Sequence, residues 1–528
     1  MKREDDYSSI WVVPQKLSDF CPFYWGQKSF LYFGAVIQKG AMKMLKPELD
    51  TVRKMSEKYN TIPVTKEFYA DVITPINLLK RISSISNRYF LLESVEGGEK
   101  WGRYSFLGYD PIMRVTCREK RLTIEKEGKI ENVDSSNPLE KVREILKKYK
   151  APETKEGSPF TGGFVGYFAY SMIGYTEPKL RISGGEFNDM DLMLFEKVIA
   201  YDHLSQKIII SVNIPTDNIE QNYHRAEGII DETAKLLSSE APLPRMQTPK
   251  VSDFVCNFSK EDYCDVVNKT KEYILNGDIF QAVISRRFEA DYDGSLINAY
   301  RVLRTTNPSP YMVYMSIDDE EIMSTSPETL VRLQNGRLYT FPVAGSRPRG
   351  KTEEEDIALE KGLLADEKEL SEHNMLVDLG RNDLGRISEF GSVEVSKYKM
   401  IHRYSRIMHI CSQVEGNIRD DCDALDAVSA VLPAGTLSGA PKIRACEIIE
   451  ELERCPRGIY GGALGYMDFS GNLDTCIAIR MAVKKNNKVY VQAGGGIVAD
   501  SIPENEYEES YNKAIAVMNA VKESQNIV

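Results

Sequence analysis

Residues 489–510 read VYVQAGGGIVADSIPENEYEES. The opening Val-Tyr-Val run has the composition of a strand. Gly494, Gly495 and Gly496 end it and let backbone approach a neighbour or a ligand closely. Ser501-Ile-Pro503-Glu504 then reads as a capping box with proline at the first helical position, which predicts a helix over 503–522. Glu506 and Glu509 fall three residues apart in its first turns and so share a face. A strand that ends in glycines and feeds a helix bearing carboxylates sets the grammar for the rest of the chain.

Upstream, QAVISRRF, YMVYMSI, LYTFPVAG, YGGALGYMDF and CIAIRMAV read as strands. Helical patterns cover 352–378, 422–431 and 440–453, and another opens at Ser259, with Asp262 three residues on. Nearer the N-terminus, YFLLESV, YSFLGY, MRVTC, GGFVGYFAY and KIIISVNI are strand-like, and 218–238 is helix-like. Strands and helices mix without strict alternation, which predicts an α+β fold rather than a doubly wound parallel sheet. Residues 238–253, SSEAPLPRMQTPKVSD, hold three prolines and few large apolar residues, and read as a linker. The expected organisation is an N-terminal lobe at 44–237, that linker, and a C-terminal lobe at 254–528. Residues 1–43 show no period and carry Trp11 and Trp25, two of the three tryptophans. They are expected to be a disordered extension, or to lie upstream of a natural start at Met42 or Met44.

Composition narrows the function. Of 528 residues, 42% are hydrophobic and 27% charged, and the net charge is −11. An acidic chain has no global nucleic-acid footprint, so any anionic ligand must meet basic residues gathered locally. No run approaches the roughly 20 apolar residues of a membrane helix. The nine cysteines form no CxxC or Cys/His cluster, which argues against structural zinc and a disulfide framework, and a reducing cytoplasm is the expected compartment. No GxxxxGK[ST], helix-opening GxGxxG or GxSxG occurs. No cysteine sits in a nucleophile context that would hydrolyse glutamine.

Several residues remain as candidates. Glu369 and Glu372 are a second acidic pair at helical spacing, so two helices could offer four carboxylates to Mg²⁺, a cation that prefers oxygen. The plainer reading is that acids near a helix start favour its dipole. Residues 340–351, TFPVAGSRPRGK, place Arg347, Arg349 and Lys351 after a small-residue turn, as an anion site or as solvated surface. Arg480 ends an apolar run, where an unpaired charge is costly, so a carboxylate partner is expected from the protein or from a substrate. His409, in RIMHICSQV, reads as a core histidine or a catalytic one. His373 adjoins Glu372.

Taken in order, LLES, DIFQAVISRRF, NPSPYMVYM, STSPETL, PVAGSRPRG, EHNMLVDLGRND, LPAGTLSGAPK, IYGGALGYMD, CIAIR, QAGGGIVADS and ENEYEES resemble the chorismate-utilising enzymes over residues 47–522. Within them the chain is similar to the large subunits of anthranilate synthases. The resemblance implies antiparallel sheets packed inside with helices outside, in two lobes. It implies amination of chorismate with loss of the C4 hydroxyl, then elimination of pyruvate. Glu372 and Glu509 would hold Mg²⁺, with Glu369 and Glu506 acting through water. Gly345, Ser346, Tyr460, Arg480 and Gly494–Gly496 map to substrate contacts, His409 and Thr436 to the reacting ring, and Glu328 to the general acid. Ser94, with LLES, and Pro310, Tyr311 and Met312, in NPSPYM, map to a feedback site for L-tryptophan. A glutamine amidotransferase partner would supply ammonia in a hetero-oligomer. Ala344, sixteen residues after Glu328, stands where aminodeoxychorismate and isochorismate synthases of the same fold carry lysine, which favours anthranilate. A non-catalytic subunit that only binds chorismate or tryptophan is the alternative of another class. Ser346 and Arg286 depart from the common threonine and glutamine of the family.

Overall fold

The computed structural model describes residues 44–527 except 72, 95–101, 154–156, 240 and 404–406. The extension at 1–43 lies outside the described residues. Two large antiparallel sheets organise the remainder. The first runs in the order Thr61–Tyr69, Lys207–Pro215, Lys197–Asp202, Tyr104–Tyr109, Arg88–Glu93, Tyr311–Ile317, Glu320–Ser326, Met481–Lys485, Lys488–Ile497 and Gln281–Asp293. The second runs Val343–Pro348, Ile407–Asn417, Arg337–Thr340, Thr329–Gln334, Leu473–Ile477, Ala463–Asp468, Gly163–Phe168, Met190–Phe195 and Met113–Arg118, then a hairpin to Lys129–Asp134. Each sheet draws strands from both sides of residues 238–253.

Side chains alternate across each strand, and the alternation explains the layering. In Arg88–Glu93, Phe90 and Leu92 face a core shared with Val165, Tyr167, Met193 and Phe195 of the other sheet. Tyr89 and Leu91 face away, into a core closed by Ala226 and Ile230, Tyr300 and Leu303, and Val517 and Val521 from three helices. Leu192 and Leu194 of the second sheet likewise pack outward, in one cluster with Leu425 and Val428. Strands buried on both faces read as continuous apolar runs. The result is the expected arrangement, sheets inside and helices outside.

The helix read over 352–378 is two helices, Glu353–Leu364 and Glu367–Gly385. Asp366 breaks the run because its carboxylate accepts from the N–H groups of Lys368 and Glu369 and so caps a new helix. The last helix spans Pro503–Glu523, with Pro503 in its first turn as expected. Ser501 does not cap it; its Oγ accepts from the N–H of Val498 at 3.1 Å. Ser259 does cap Lys260–Leu275, accepting from the N–H of Asp262 at 3.1 Å. No disulfide links the cysteines among the described residues, and no described helix is long and apolar enough to cross a membrane.

Candidate active site

Two short connections carry the chain between the sheets. Residues 327–328 lead from Glu320–Ser326 to Thr329–Gln334, and residues 478–480 lead from Leu473–Ile477 to Met481–Lys485. The N–H of Ile477 donates to the carbonyl of Glu328 at 3.0 Å, and that of Thr325 to the carbonyl of Arg480 at 3.1 Å. The two crossovers are thus fastened together, and each presents one charged side chain.

Glu328 accepts from Thr436 Oγ1 at 3.1 Å. Burial pushes its carboxyl up to about 8, with Thr436 and Lys513 pulling the other way. It is therefore protonated at neutral pH, as a general acid must be. Arg480 adopts a left-handed φ of 48°, a conformation that costs a non-glycine residue on the order of 1–3 kcal/mol. Its Nη1 donates to the carbonyl of Lys513 at 2.8 Å. Burial lowers the guanidinium pKa, opposed by Tyr460 and Glu509. Among the described residues no carboxylate forms an ion pair with it, so the partner expected from the sequence does not come from them. Tyr460 is buried, which pushes its phenol up to about 12.

Gly345 lies at a bulge where Val343–Pro348 pairs with Ile407–Asn417, at φ +71°, a value that favours glycine. The bulge brings Ser346 beside His409, whose Nδ1 lies 2.9 Å from Ser346 Oγ and 3.2 Å from the carbonyl of Gly345. A carbonyl only accepts, so Nδ1 carries the proton and Nε2 is the basic nitrogen. Burial lowers the imidazole pKa, which keeps the ring neutral.

The two glutamate pairs face this region from the helices Glu367–Gly385 and Pro503–Glu523. A Cβ on Gly495 would stand 3.0 Å from Glu506 Oε2 and 3.9 Å from Glu509 Oε1, and one on Gly345 would stand 3.2 Å from Glu369 Oε2. The glycines leave these carboxylates their space. Burial raises the pKa of Glu372, and Glu369 and Glu509 raise it further, so the helices bring their charges within reach of one another. The four carboxylates, two from each helix, are oxygen donors of the kind a hydrated divalent cation prefers. Among the described residues no three acidic, histidine or cysteine side chains lie close enough together to hold a metal ion by themselves. Arg347 does not form an open anion site; it binds Asp366 at 2.7 Å and Glu369 at 3.2 Å. Arg349 pairs with Asp356 at 2.9 Å.

Ser94 and the 310–312 segment, far apart in sequence, are brought together. Met312 pairs with Glu93 across neighbouring strands, so Ser94 continues to the level of Tyr311. Tyr311 donates to Asp474 at 2.8 Å.

Sequence reading missed Lys513. It pairs with Glu509 at 2.7 Å and donates to the carbonyl of Gly494 at 3.2 Å, so it links the last helix to the glycine strand. Its position four residues after Glu509 was the available signal. Gln281 was missed too; it packs its amide against Gly496 in the space a larger residue would need.

The chorismate binding enzyme family model matches residues 88–519. Anthranilate synthase component 1 from Acetivibrio thermocellus is 48% identical over 92% of this chain and 100% of its own length. The protein of that name from Aquifex aeolicus is 46% identical over 90% and 97%. The crystal structure of anthranilate synthase component I from Streptococcus pneumoniae superposes with a TM-score of 0.71 at 37% identity, covering 85% of this chain and 98% of that one. A menaquinone-specific isochorismate synthase from Escherichia coli shares the fold at a TM-score of 0.67 and 18% identity. With Glu328, Arg480 and the glycine strand gathered where the sheets exchange strands, and with relatives matched almost end to end, the chain belongs to the chorismate binding enzyme family.

Proposed function

We propose that this chain is the synthase component of an anthranilate synthase, converting chorismate and ammonia to anthranilate and pyruvate. The observation that carries the reading is the pair of tied crossovers. They set a neutral carboxylic acid, Glu328, beside a buried guanidinium, Arg480, that suits an anionic substrate. Arg480, with Tyr460 and the backbone of Gly494–Gly496, holds a carboxylate of chorismate. Glu328 gives its proton to the departing C4 hydroxyl as ammonia adds to the ring, and Thr436 keeps that carboxyl aimed. His409, oriented by Ser346 and Gly345, stands close to the reacting ring. A bound Mg²⁺ would supply positive charge against the ring carboxylate, with Glu372 and Glu509 as its ligands and Glu369 and Glu506 reaching it through water. Ala344, buried opposite Ile410, offers no amine that would compete with ammonia, which favours anthranilate over the isochorismate and aminodeoxychorismate products.

The test is incubation of the purified chain with chorismate, Mg²⁺ and either ammonium or glutamine, read by anthranilate fluorescence. Product is expected with ammonium alone. Turnover with glutamine would remove the need for a separate glutaminase subunit, and no product with either would leave only a binding role.

Regulation belongs to the same reading. L-tryptophan, bound between Ser94 and Pro310, Tyr311 and Met312, is expected to lower chorismate affinity by about 5–150-fold, the usual range of coupling between sites. Calorimetric titration of tryptophan with and without chorismate measures it, since linkage makes the effect reciprocal. Ser94→Phe should abolish tryptophan binding and spare basal activity; a variant that binds tryptophan normally would place the inhibitor elsewhere.

A further inference from the structure

Arg286 is among the largest fully buried side chains, 1% exposed. It sits on Gln281–Asp293 opposite Ala493, next to Gly494 of the glycine run. Burying a guanidinium is costly unless it is hydrogen-bonded and its charge is answered. Among the described residues no carboxylate forms an ion pair with it. Instead Nε donates to Ser510 Oγ at 2.9 Å and Nη2 to the carbonyl of Tyr507 at 2.6 Å. The cation lies 3.8 Å from the Tyr507 ring centre, with Phe288 at 5.2 Å and Tyr263 at 5.3 Å. Three π faces and a carbonyl stabilise the charge without neutralising it.

Both hydrogen-bond acceptors lie on the last helix, and both adjoin its carboxylates. Tyr507 follows Glu506, and Ser510 follows Glu509. Ser510 Oγ also donates to the Tyr507 carbonyl at 2.9 Å, closing a small ring of bonds around the guanidinium. A helix that begins at Pro503 without a side-chain cap is thus pinned from the sheet side in its first two turns, at the level of the glutamates.

We propose that Arg286 is the positioning residue of the candidate metal site: its buried guanidinium fixes the first turns of the last helix against the glycine strand and so sets Glu506 and Glu509 opposite Glu369 and Glu372. The inference rests on the metal reading above. It also gives a role to a residue that departs from the family pattern: methionine at 286 could donate to neither acceptor, and lysine lacks the planar fork that spans both while stacking on Tyr507.

The test is titration of the full-length chain with Mn²⁺, followed by the EPR signal of the free ion, with hydrogen exchange of residues 503–510 measured in EDTA. Arg286→Met should raise the Mn²⁺ dissociation constant by about 10–100-fold, the usual effect of losing a group that orients ligands. Exchange at 503–510 should quicken without metal. Arg286→Lys should fall between the two. Ammonia-dependent kcat at saturating Mg²⁺ should return to the native value, a split that general loosening of the fold would not give. A folded Arg286→Met that binds Mn²⁺ like the native chain overturns the inference. If that variant does not fold, Ser510→Ala keeps the cation and removes one acceptor; unchanged Mn²⁺ affinity there overturns it as well. A native chain that binds no Mn²⁺ removes the metal reading itself, and this inference with it.

Discussion

Glu328→Gln is expected to lower ammonia-dependent anthranilate formation by about 10²–10⁴-fold, the range usual for a positioned general acid, with little change in chorismate affinity. Glutamine keeps the shape and the bond from Thr436 but has no proton to give to the leaving hydroxyl. The pH dependence follows from burial, which raises the carboxyl from 4.5 to about 8. The native rate should hold at neutral pH and fall as pH rises through about 8, and the variant should lack that limb. Stability carries the opposite trace. Between 4.5 and about 8 the unfolded chain has released this proton and the folded chain has not. Raising the pH across that window therefore destabilises the fold. At pH 9 Glu328→Gln should melt above the native chain by calorimetry. A glutamine variant with native rate would take Glu328 out of the chemistry.

The second large effect concerns the glutamates. Glu372→Gln and Glu509→Gln should each abolish turnover at ordinary Mg²⁺, a larger loss than the roughly 10–100-fold expected for groups acting through water, Glu369 and Glu506. Extra Mg²⁺ should partly restore the outer pair. Within the pair on Glu367–Gly385, Glu369 is held by Arg347, whereas burial and like charge destabilise ionised Glu372, so a cation at Glu372 relieves the greater strain; at Glu509 the cation would compete with Lys513. Rates measured against Mg²⁺ for all four variants decide it, and equal losses that no Mg²⁺ restores would contradict the division of roles.

Local signals carried the elements well where a single residue decides them. Ser259 caps its helix as its spacing announces, and the apolar runs in YFLLESV and YMVYMSI mark two strands that do lie side by side. The split at Asp366 was not legible, because a charged residue inside an acidic, helix-favouring run looks like one more solvated position until its carboxylate turns back onto two amides. Ser501 misled for the converse reason, since the hydroxyl found a nearer amide at Val498. Resemblance indicated Glu328 and Arg480, but their mutual arrangement depends on pairings between strands some 150 residues apart, which no local pattern encodes. Lys513 and the ring of bonds around Arg286 exist only once the last helix lies on the sheet.

The way the sheets share strands also bears on how the chain comes into being. On a ribosome the N-terminus emerges first, yet Arg88–Glu93 pairs with Tyr311–Ile317, and Gly163–Phe168 pairs with Ala463–Asp468. The early strands must wait, with apolar faces and unmatched edges, for partners made hundreds of residues later. Unmatched edges invite association with other chains, and pairings this remote close slowly. Such a protein gains most from chaperone shelter during translation, and nascent chains halted before residue 463 should be held by chaperones or aggregate rather than settle into a stable first half.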